Sequence, residues 1–225
     1  MNILTSVLPK AHTVFNRLVH GHSSRYERLT LEAKQARPAT ILEIGVWQGE
    51  RARQLITAAL GSRSAEGISY FGFDLFERMT PDLVAPEASH RSRNPSMAEI
   101  RERLSPFADR GVTVKLFAGN TRETLPAAIT ELPPIDFAFI DGGHSYETVK
   151  SDWDNVERVI HARSVVIFDD YVCEEAVERE GFGINRLMAE IDRSRYKVEI
   201  LEPVDWWPRP WGIFKNQLAK VTAAS

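Results

Sequence analysis

Three aspartates and a histidine stand where chemistry is most easily done. Asp141 follows the apolar run Ile135-Asp-Phe-Ala-Phe-Ile140, and Asp169 and Asp170 follow Ser164-Val-Val-Ile-Phe168. Each run has the length and composition of a buried strand. Neighbouring strands lie ~4.8 Å apart, so two such strands side by side would bring their terminal acids into one crevice. Unpaired carboxylates that close repel and raise one another's pKa. A hard divalent cation relieves that repulsion, and an all-oxygen set favours Mg²⁺, Ca²⁺ or Mn²⁺ over zinc. The alternatives are that one of the Asp pair caps a helix or that the acids are structural or bind substrate. His144 lies three residues past Asp141. It is the leading general-base candidate, with metal ligation or loop ordering as the other readings. Such a site suits a weak nucleophile such as a hydroxyl, which a bound metal acidifies and aims. Cys173, the single cysteine, has no thiol-activating motif around it.

These residues need a scaffold, and the stretch Thr40-Ile-Leu-Glu-Ile-Gly-Val-Trp-Gln-Gly-Glu-Arg51 begins it. Thr40–Ile44 reads as a buried parallel strand broken by Gly45 and Gly49. A helical pattern follows from Glu50 to Leu60, with Gly61 as its C-cap. Open α/β sheets bind ligands at such a turn. A dinucleotide asks for G-x-G-x-x-G, whose middle glycine lets backbone approach the pyrophosphate. Trp47 occupies that position, and the third glycine is missing. S-adenosylmethionine has no phosphate and needs room for its methionine part and an acid for its ribose. Glu43, inside the strand, suits that ligand. Asp74 ends the next strand, Ser69–Phe73, at the distance where a ribose diol would be held, and Glu77 could share the role. The competing reading is that Asp74 caps a turn.

The remaining elements extend the same alternation. Val112–Phe117 reads as a third strand, and Asn120 or Thr121 caps the helix after it. A helix over 146–160 carries Val149, Trp153, Val156 and Val159 at core spacing. Another helix is predicted over 183–193. Strands at Lys197–Glu202 and Trp211–Asn216 would form a final antiparallel hairpin, with Pro203, Pro208 and Pro210 in the linker. Trp206 and Trp207 fit hairpin packing better than substrate contact. Loop 78–98, with three prolines, reads as an irregular, lid-like segment. Its His90, Arg91 and Arg93 fit a solvated face better than an anion site. Ser96 and Glu99 form a capping-box pattern for a helix to about Ala108.

At this point the chain resembles the class I, Rossmann-like, S-adenosylmethionine-dependent methyltransferases. Leu42-Glu-Ile-Gly-Val-Trp-Gln-Gly-Glu50 is similar to their first motif and Gly72-Phe-Asp-Leu-Phe-Glu77 to their second. Phe139-Ile-Asp-Gly-Gly-His-Ser-Tyr-Glu147 resembles the small-molecule O-methyltransferase branch that includes macrolide-sugar and cephalosporin C7 methyltransferase-like proteins. The departure is Trp47, where the usual motif has a glycine. The resemblance covers residues 38–216. It implies an α/β fold with a mostly parallel seven-stranded sheet, a terminal antiparallel hairpin and helices on both faces. It implies a cofactor set of Glu43, Gly45, Trp47, Gly49, Asp74, Asn120, Thr121 and Asp141. It also agrees with a divalent metal, Mg²⁺ by preference, on Asp141, Asp169 and Asp170, with His144 and Asp141 at the reacting centre.

Composition bounds the rest. The 225 residues carry a net charge of −3, which supplies no global basic field for nucleic acid or anionic lipid. No apolar run reaches the ~20 residues of a bilayer span. The N-terminus reads as a poor signal peptide, and one cysteine fits a reducing cytoplasmic setting. Residues 1–36 read as a helical extension with an apolar face (Val14, Phe15, Leu18, Val19) that leaves room for a homodimer; the methyltransferase domain is expected over 37–225. His12, His20 and His22 read as surface residues. The predicted activity is methyl transfer to a hydroxyl of a sugar or natural product. A nicotinamide oxidoreductase and a non-catalytic ligand-binding domain of the same fold are the competing readings.

Overall fold

A computed structural model of the chain describes residues 24–87 and 94–224. The apolar run ahead of the glycine turn forms β1, Thr40–Ile44. β2 (Ser69–Asp74), β3 (Thr113–Ala118), β4 (Ile135–Ile140) and β5 (Ile160–Val172) follow, then β6 (Tyr196–Arg209) and β7 (Gly212–Ala223). They make one seven-stranded sheet in the order β3-β2-β1-β4-β5-β7-β6. The first five are parallel, while β7 runs antiparallel to both β5 and β6. The chain reverses its winding direction between β1 and β4, which opens a crevice at their carboxyl ends.

The helices are α1 (Arg25–Ala36), α2 (Glu50–Leu60), α3 (Pro81–Val84), α4 (Met97–Ala108), α5 (Thr121–Ala128), α6 (Tyr146–Val156), α7 (Glu174–Glu180) and α8 (Ile184–Glu190). Strand side chains alternate between the faces, and two cores result. Leu42, Ile44, Ala138 and Ile140 pack on Leu125 of α5, Val149 and Trp153 of α6 and Leu187 of α8. Ile41, Phe137 and Phe139 face Leu29 of α1, Leu55 of α2 and Leu104 of α4. Ser96 closes the capping box with Glu99, and Asn120 caps α5 by accepting from Arg122 N–H.

Several expected boundaries move. The proline-rich linker of the tail is instead the second half of β6, which extends to Arg209. Prolines are tolerated there because β6 is the sheet edge, where an N–H facing outward has no ladder partner to lose. Trp207 stacks on Phe214 of β7 at 4.7 Å, a cross-strand packing role. β5 begins earlier and continues past the two acids. α7 has no counterpart in the sequence reading, and the 183–193 helix is limited to Ile184–Glu190. The irregular loop contains the short α3, started by Pro81 at its first turn. His12, His20, His22, His90, Arg91, Arg93 and the Val14–Val19 face lie outside the described residues.

Gly45 makes the tightest approach between strand ends. Its φ is +87°, and a Cβ there would sit 1.8 Å from the Asp141 carbonyl oxygen. Gly181 has a similar φ of +76° with nothing within 4 Å of a Cβ. The pair separates conformational strain from collision. Gly181→Ala should cost only the left-handed penalty of about 1–2 kcal/mol. Gly45→Ala should cost more than about 4 kcal/mol or prevent folding, because neither backbone can yield. Urea midpoints of the two variants check this.

Candidate active site

The crevice lies across the carboxyl ends of β1, β2, β3 and β4. Gly45, Asp74, Gly119, Asn120, Thr121 and Asp141 are among its lining residues. Asp74 is held rigidly: its Oδ2 accepts from Trp47 N–H at 2.8 Å and its Oδ1 from Phe76 N–H at 2.9 Å. The turn-capping reading of Asp74 is realised, since it orders the turn after β2, and the residue also lines the crevice. Two loop residues close over it. Asn94 donates to Asp74 Oδ1 at 2.9 Å. Glu87 accepts from Ser145 N–H at 2.8 Å and from the Thr148 hydroxyl at 2.6 Å, latching the loop to the start of α6. Neither was singled out in the sequence, because nothing local marks a loop acid whose partners lie 58 and 61 residues away. Glu77 does not share the crevice; it accepts from Met97 N–H at the start of α4.

At one end of the crevice, Asp141, His144 and Asp170 bring one donor atom each within 4.8 Å of one another. His144 Nε2 lies 3.0 Å from Asp170 Oδ2, and the imidazole stacks on Phe182 at 5.1 Å. Asn216 of β7 donates to Asp170 Oδ1 at 2.5 Å. Burial pushes the Asp170 carboxyl upward, but the His144 hydrogen bond and charge, with Arg25 and Asn216, outweigh it and hold it down to about 2. Asp170 is thus an anion at neutral pH.

The expected metal set of Asp141, Asp169 and Asp170 is not the one assembled. His144 takes the third place, and Asp169 is engaged elsewhere. Asp169 turns toward α1 rather than the crevice. There Arg25 Nε reaches its Oδ1 at 2.7 Å and the Tyr26 hydroxyl reaches its Oδ2 at 2.8 Å. The Mg²⁺ preference changes for the same reason. It rested on an all-oxygen set, whereas a set with one imidazole also suits Mn²⁺ and later first-row metals.

Three expected cofactor residues do not line the crevice. Glu43 is fully buried on the α2 side of β1, where Tyr70 donates to it at 2.6 Å. Burial pushes its carboxyl up to about 8, against the Tyr70 hydrogen bond and the Arg51 charge. Trp47 has its ring half-exposed and contributes its backbone N–H to Asp74. Gly49 starts α2 with a left-handed backbone. A further acid, Asp152 on α6, is fully buried, its Oδ2 lying 3.6 Å from where a Gly142 Cβ would be. Burial raises its carboxyl to about 7, with the Thr121 hydroxyl opposing and the Glu87 charge adding.

Residues 42–171 match the model of a family described as a methyltransferase domain, which is more than half of the chain. The chain belongs to this methyltransferase family. Solved methyltransferases share the fold. The O-methyltransferase TomG of Streptomyces achromogenes, from tomaymycin synthesis and in complex with SAM, is 19% identical with a TM-score of 0.60, covering 99% of this chain and 91% of TomG. An O-methyltransferase of Bacillus cereus with SAH is 17% identical with a TM-score of 0.60 and the same coverage. A precorrin-6y C5,15-methyltransferase of Geobacter metallireducens, 14% identical with a TM-score of 0.51, covers 87% of this chain and 88% of its own. The methyltransferase fold therefore does not by itself choose the acceptor. The uncharacterised protein R132 of Acanthamoeba polyphaga mimivirus is 27% identical over 78 residues. The match spans about a third of that relative's length, 35% of it.

The two raised carboxyls make stability depend on pH. Glu43, ordinarily near 4.5, titrates at about 8 when folded. Between those values the unfolded chain has lost the proton and the folded chain has kept it. Stability present below pH 4.5 is therefore lost as pH rises to about 8, by at most about 1.4 kcal/mol per pH unit and per group. Asp152 acts likewise up to about 7. Glu43→Gln should flatten the upper part of that slope in urea titrations between pH 5 and 8.5. An unchanged slope would show that Glu43 ionises normally in the fold.

Proposed function

We propose that this methyltransferase-family chain is an S-adenosylmethionine-dependent O-methyltransferase for a hydroxyl of a small molecule, of the sugar or natural-product kind, assisted by a divalent cation. One observation carries the reading. Asp141 belongs both to the crevice lined by Gly45, Asp74 and Asn120 and to the acid–imidazole cluster with His144 and Asp170. A donor pocket and a reacting centre that share a residue are placed for group transfer between them.

The residues present fit the methyl donor. The bare backbone at Gly45 would lie along its methionine part, Asp74 would take the ribose, and Asn120 and Thr121 would lie near the adenine. Asp141 would lie near the reactive end. When bound, the cofactor supplies an already activated sulfonium methyl. The residues also fit a cation, since two carboxylates and an imidazole offer three donors in one place. When bound, the cation would acidify and aim the acceptor hydroxyl. His144 has one role at a time: a ligand where a cation is held, or the base that accepts the hydroxyl proton where none is, with Asp170 orienting the ring and stabilising its charged form. The 3.0 Å contact between His144 and Asp170 also favours a second reading, in which this dyad removes the proton without a cation.

The family match favours a methyl donor over a nicotinamide. The net charge of −3 fits a small-molecule partner better than nucleic acid. No helix among the described residues is long and apolar enough to cross a membrane. A cytoplasmic setting and a homodimer complete the proposal.

Calorimetric titration with S-adenosylhomocysteine should give saturable binding, weakened more than about tenfold in Asp74→Ala, which loses hydrogen bonds to a charged acceptor. Asp170→Asn should keep that affinity while losing methyl transfer from labelled S-adenosylmethionine to a panel of hydroxylated sugars and phenols. Absence of S-adenosylhomocysteine binding, with or without Mg²⁺ or Mn²⁺, would overturn the cofactor reading. Full turnover in EDTA would select the cation-free dyad. Cofactor binding with no transfer to any acceptor would favour a non-catalytic domain.

A further inference from the structure

Helix α1 lies outside the matched family segment, yet its first two residues reach the acids at the end of β5. Arg25 forms a two-pronged contact with Asp169, Nε to Oδ1 at 2.7 Å and Nη2 to Oδ2 at 3.1 Å. The Tyr26 hydroxyl donates to Oδ2 at 2.8 Å, and Asp170 N–H donates to Oδ1 at 2.8 Å. An ionised carboxylate offers about four lone-pair sites. Asp169 has four donors on them and is 2% exposed. Arg25 is itself held from behind by Asp205 at 2.9 Å and lies over the Tyr26 ring at 4.3 Å. The Arg51 guanidinium also lies over that ring, 3.9 Å from the centroid.

The same contacts shape Asp170. Its φ of +62° puts it in the left-handed region, where aspartate is among the few residues found regularly. The pairing of β5 with β7 shifts register between Phe168 and Tyr171. The bond from Asp170 N–H to the fixed Asp169 side chain spans that irregularity. Asp170 accepts two side-chain donors, Asn216 on Oδ1 and His144 on Oδ2, and brings a carboxylate oxygen within 4.8 Å of donor atoms of Asp141 and His144. Two chemically identical neighbours thus end in different states. One is saturated and neutralised, and the other is an available ligand.

We infer that Arg25 and Tyr26 withhold Asp169 from the reacting centre, so that Asp170 is the single β5 acid that can hold a cation there. The inference rests on the metal reading above. It makes α1 a positioning element of the site as well as a helix packed on the sheet. Its consequence is a site of two carboxylates and one imidazole in place of three carboxylates. Removing the clamp should free the Asp169 carboxylate to join that set and tighten cation binding, because affinity for hard cations rises with the number of charged oxygen ligands.

The test is Mn²⁺ binding to the full chain, followed by electron paramagnetic resonance of the free ion with S-adenosylhomocysteine present. Asp169→Asn keeps an oxygen for Asp170 N–H and should leave Mn²⁺ affinity within about threefold of wild type, whereas Asp170→Asn should lose more than about tenfold. Arg25→Met should bind Mn²⁺ about tenfold tighter, and the double variant Arg25→Met/Asp169→Asn should lose that gain. Removing one partner of a buried ion pair is often costly, so Tyr26→Phe serves as the milder variant. It frees one site on Asp169 Oδ2 and should tighten binding by a smaller factor. Loss of Mn²⁺ affinity in Asp169→Asn comparable to that in Asp170→Asn would overturn the inference. So would a folded Arg25→Met or Tyr26→Phe whose affinity is no higher than wild type. Absence of Mn²⁺ binding to the wild-type chain would instead overturn the metal reading itself.

Discussion

The site depends on how closely the end of β1 approaches the end of β4. Gly45 lies so near the Asp141 carbonyl that a Cβ would overlap it at 1.8 Å. The approach is locked on both sides, since Gly45 N–H donates to Phe73 O at 2.9 Å and Asp141 N–H to Ile44 O at 2.8 Å. Parallel strands put their carboxyl ends on one edge, and the reversal of winding between β1 and β4 leaves that edge open. Asp74, Asn120 and Asp141 reach the same crevice because each ends its strand or follows it within two residues. Acceptor chemistry is then a matter of what β5 adds beside Asp141.

β5 adds a charge problem and its solution. Asp169 and Asp170 are adjacent acids, and Asp141 is near. Burying carboxylates without partners is costly. Each is given a different partner set: Arg25 and Tyr26 for Asp169, His144 and Asn216 for Asp170. The partners come from α1, the loop after β4 and β7, so the reacting centre ties both ends of the chain to its middle. The same accounting explains Glu43. Among the described residues it has no cationic hydrogen-bond partner, and its burial is met by holding its proton and by the Tyr70 hydroxyl.

The parallel half of the sheet was legible because two independent signals agreed at each strand, an apolar run and a glycine or acid that ended it. β1 and β4 were read to the residue on that basis. The tail was misread because prolines normally break strands, and only the sheet order reveals that β6 is an edge that tolerates them. α7 was missed because Glu174–Glu180 is short and has a single buried side chain, Ala176, to mark an inner face. Within the site, residue type pointed to Asp141, Asp169 and Asp170, with His144 beside them. It could not choose between Asp169 and Asp170, since adjacency on a strand leaves the facing direction open to a register slip. The residue that decides it, Arg25, is 144 positions away and carries no local signal. Glu43 was assigned to the cofactor from a motif, but alternation along β1 turns it to the opposite face.

The central question is where the methyl donor lies relative to Asp141. A crystal structure of the chain with S-adenosylhomocysteine measures this. The account predicts the ribose hydroxyls on Asp74, the adenine beside Asn120 and Thr121, and the sulfur facing the cluster of Asp141, His144 and Asp170. A ligand bound with its sulfur turned away from that cluster, or outside the crevice between β1 and β4, would contradict it.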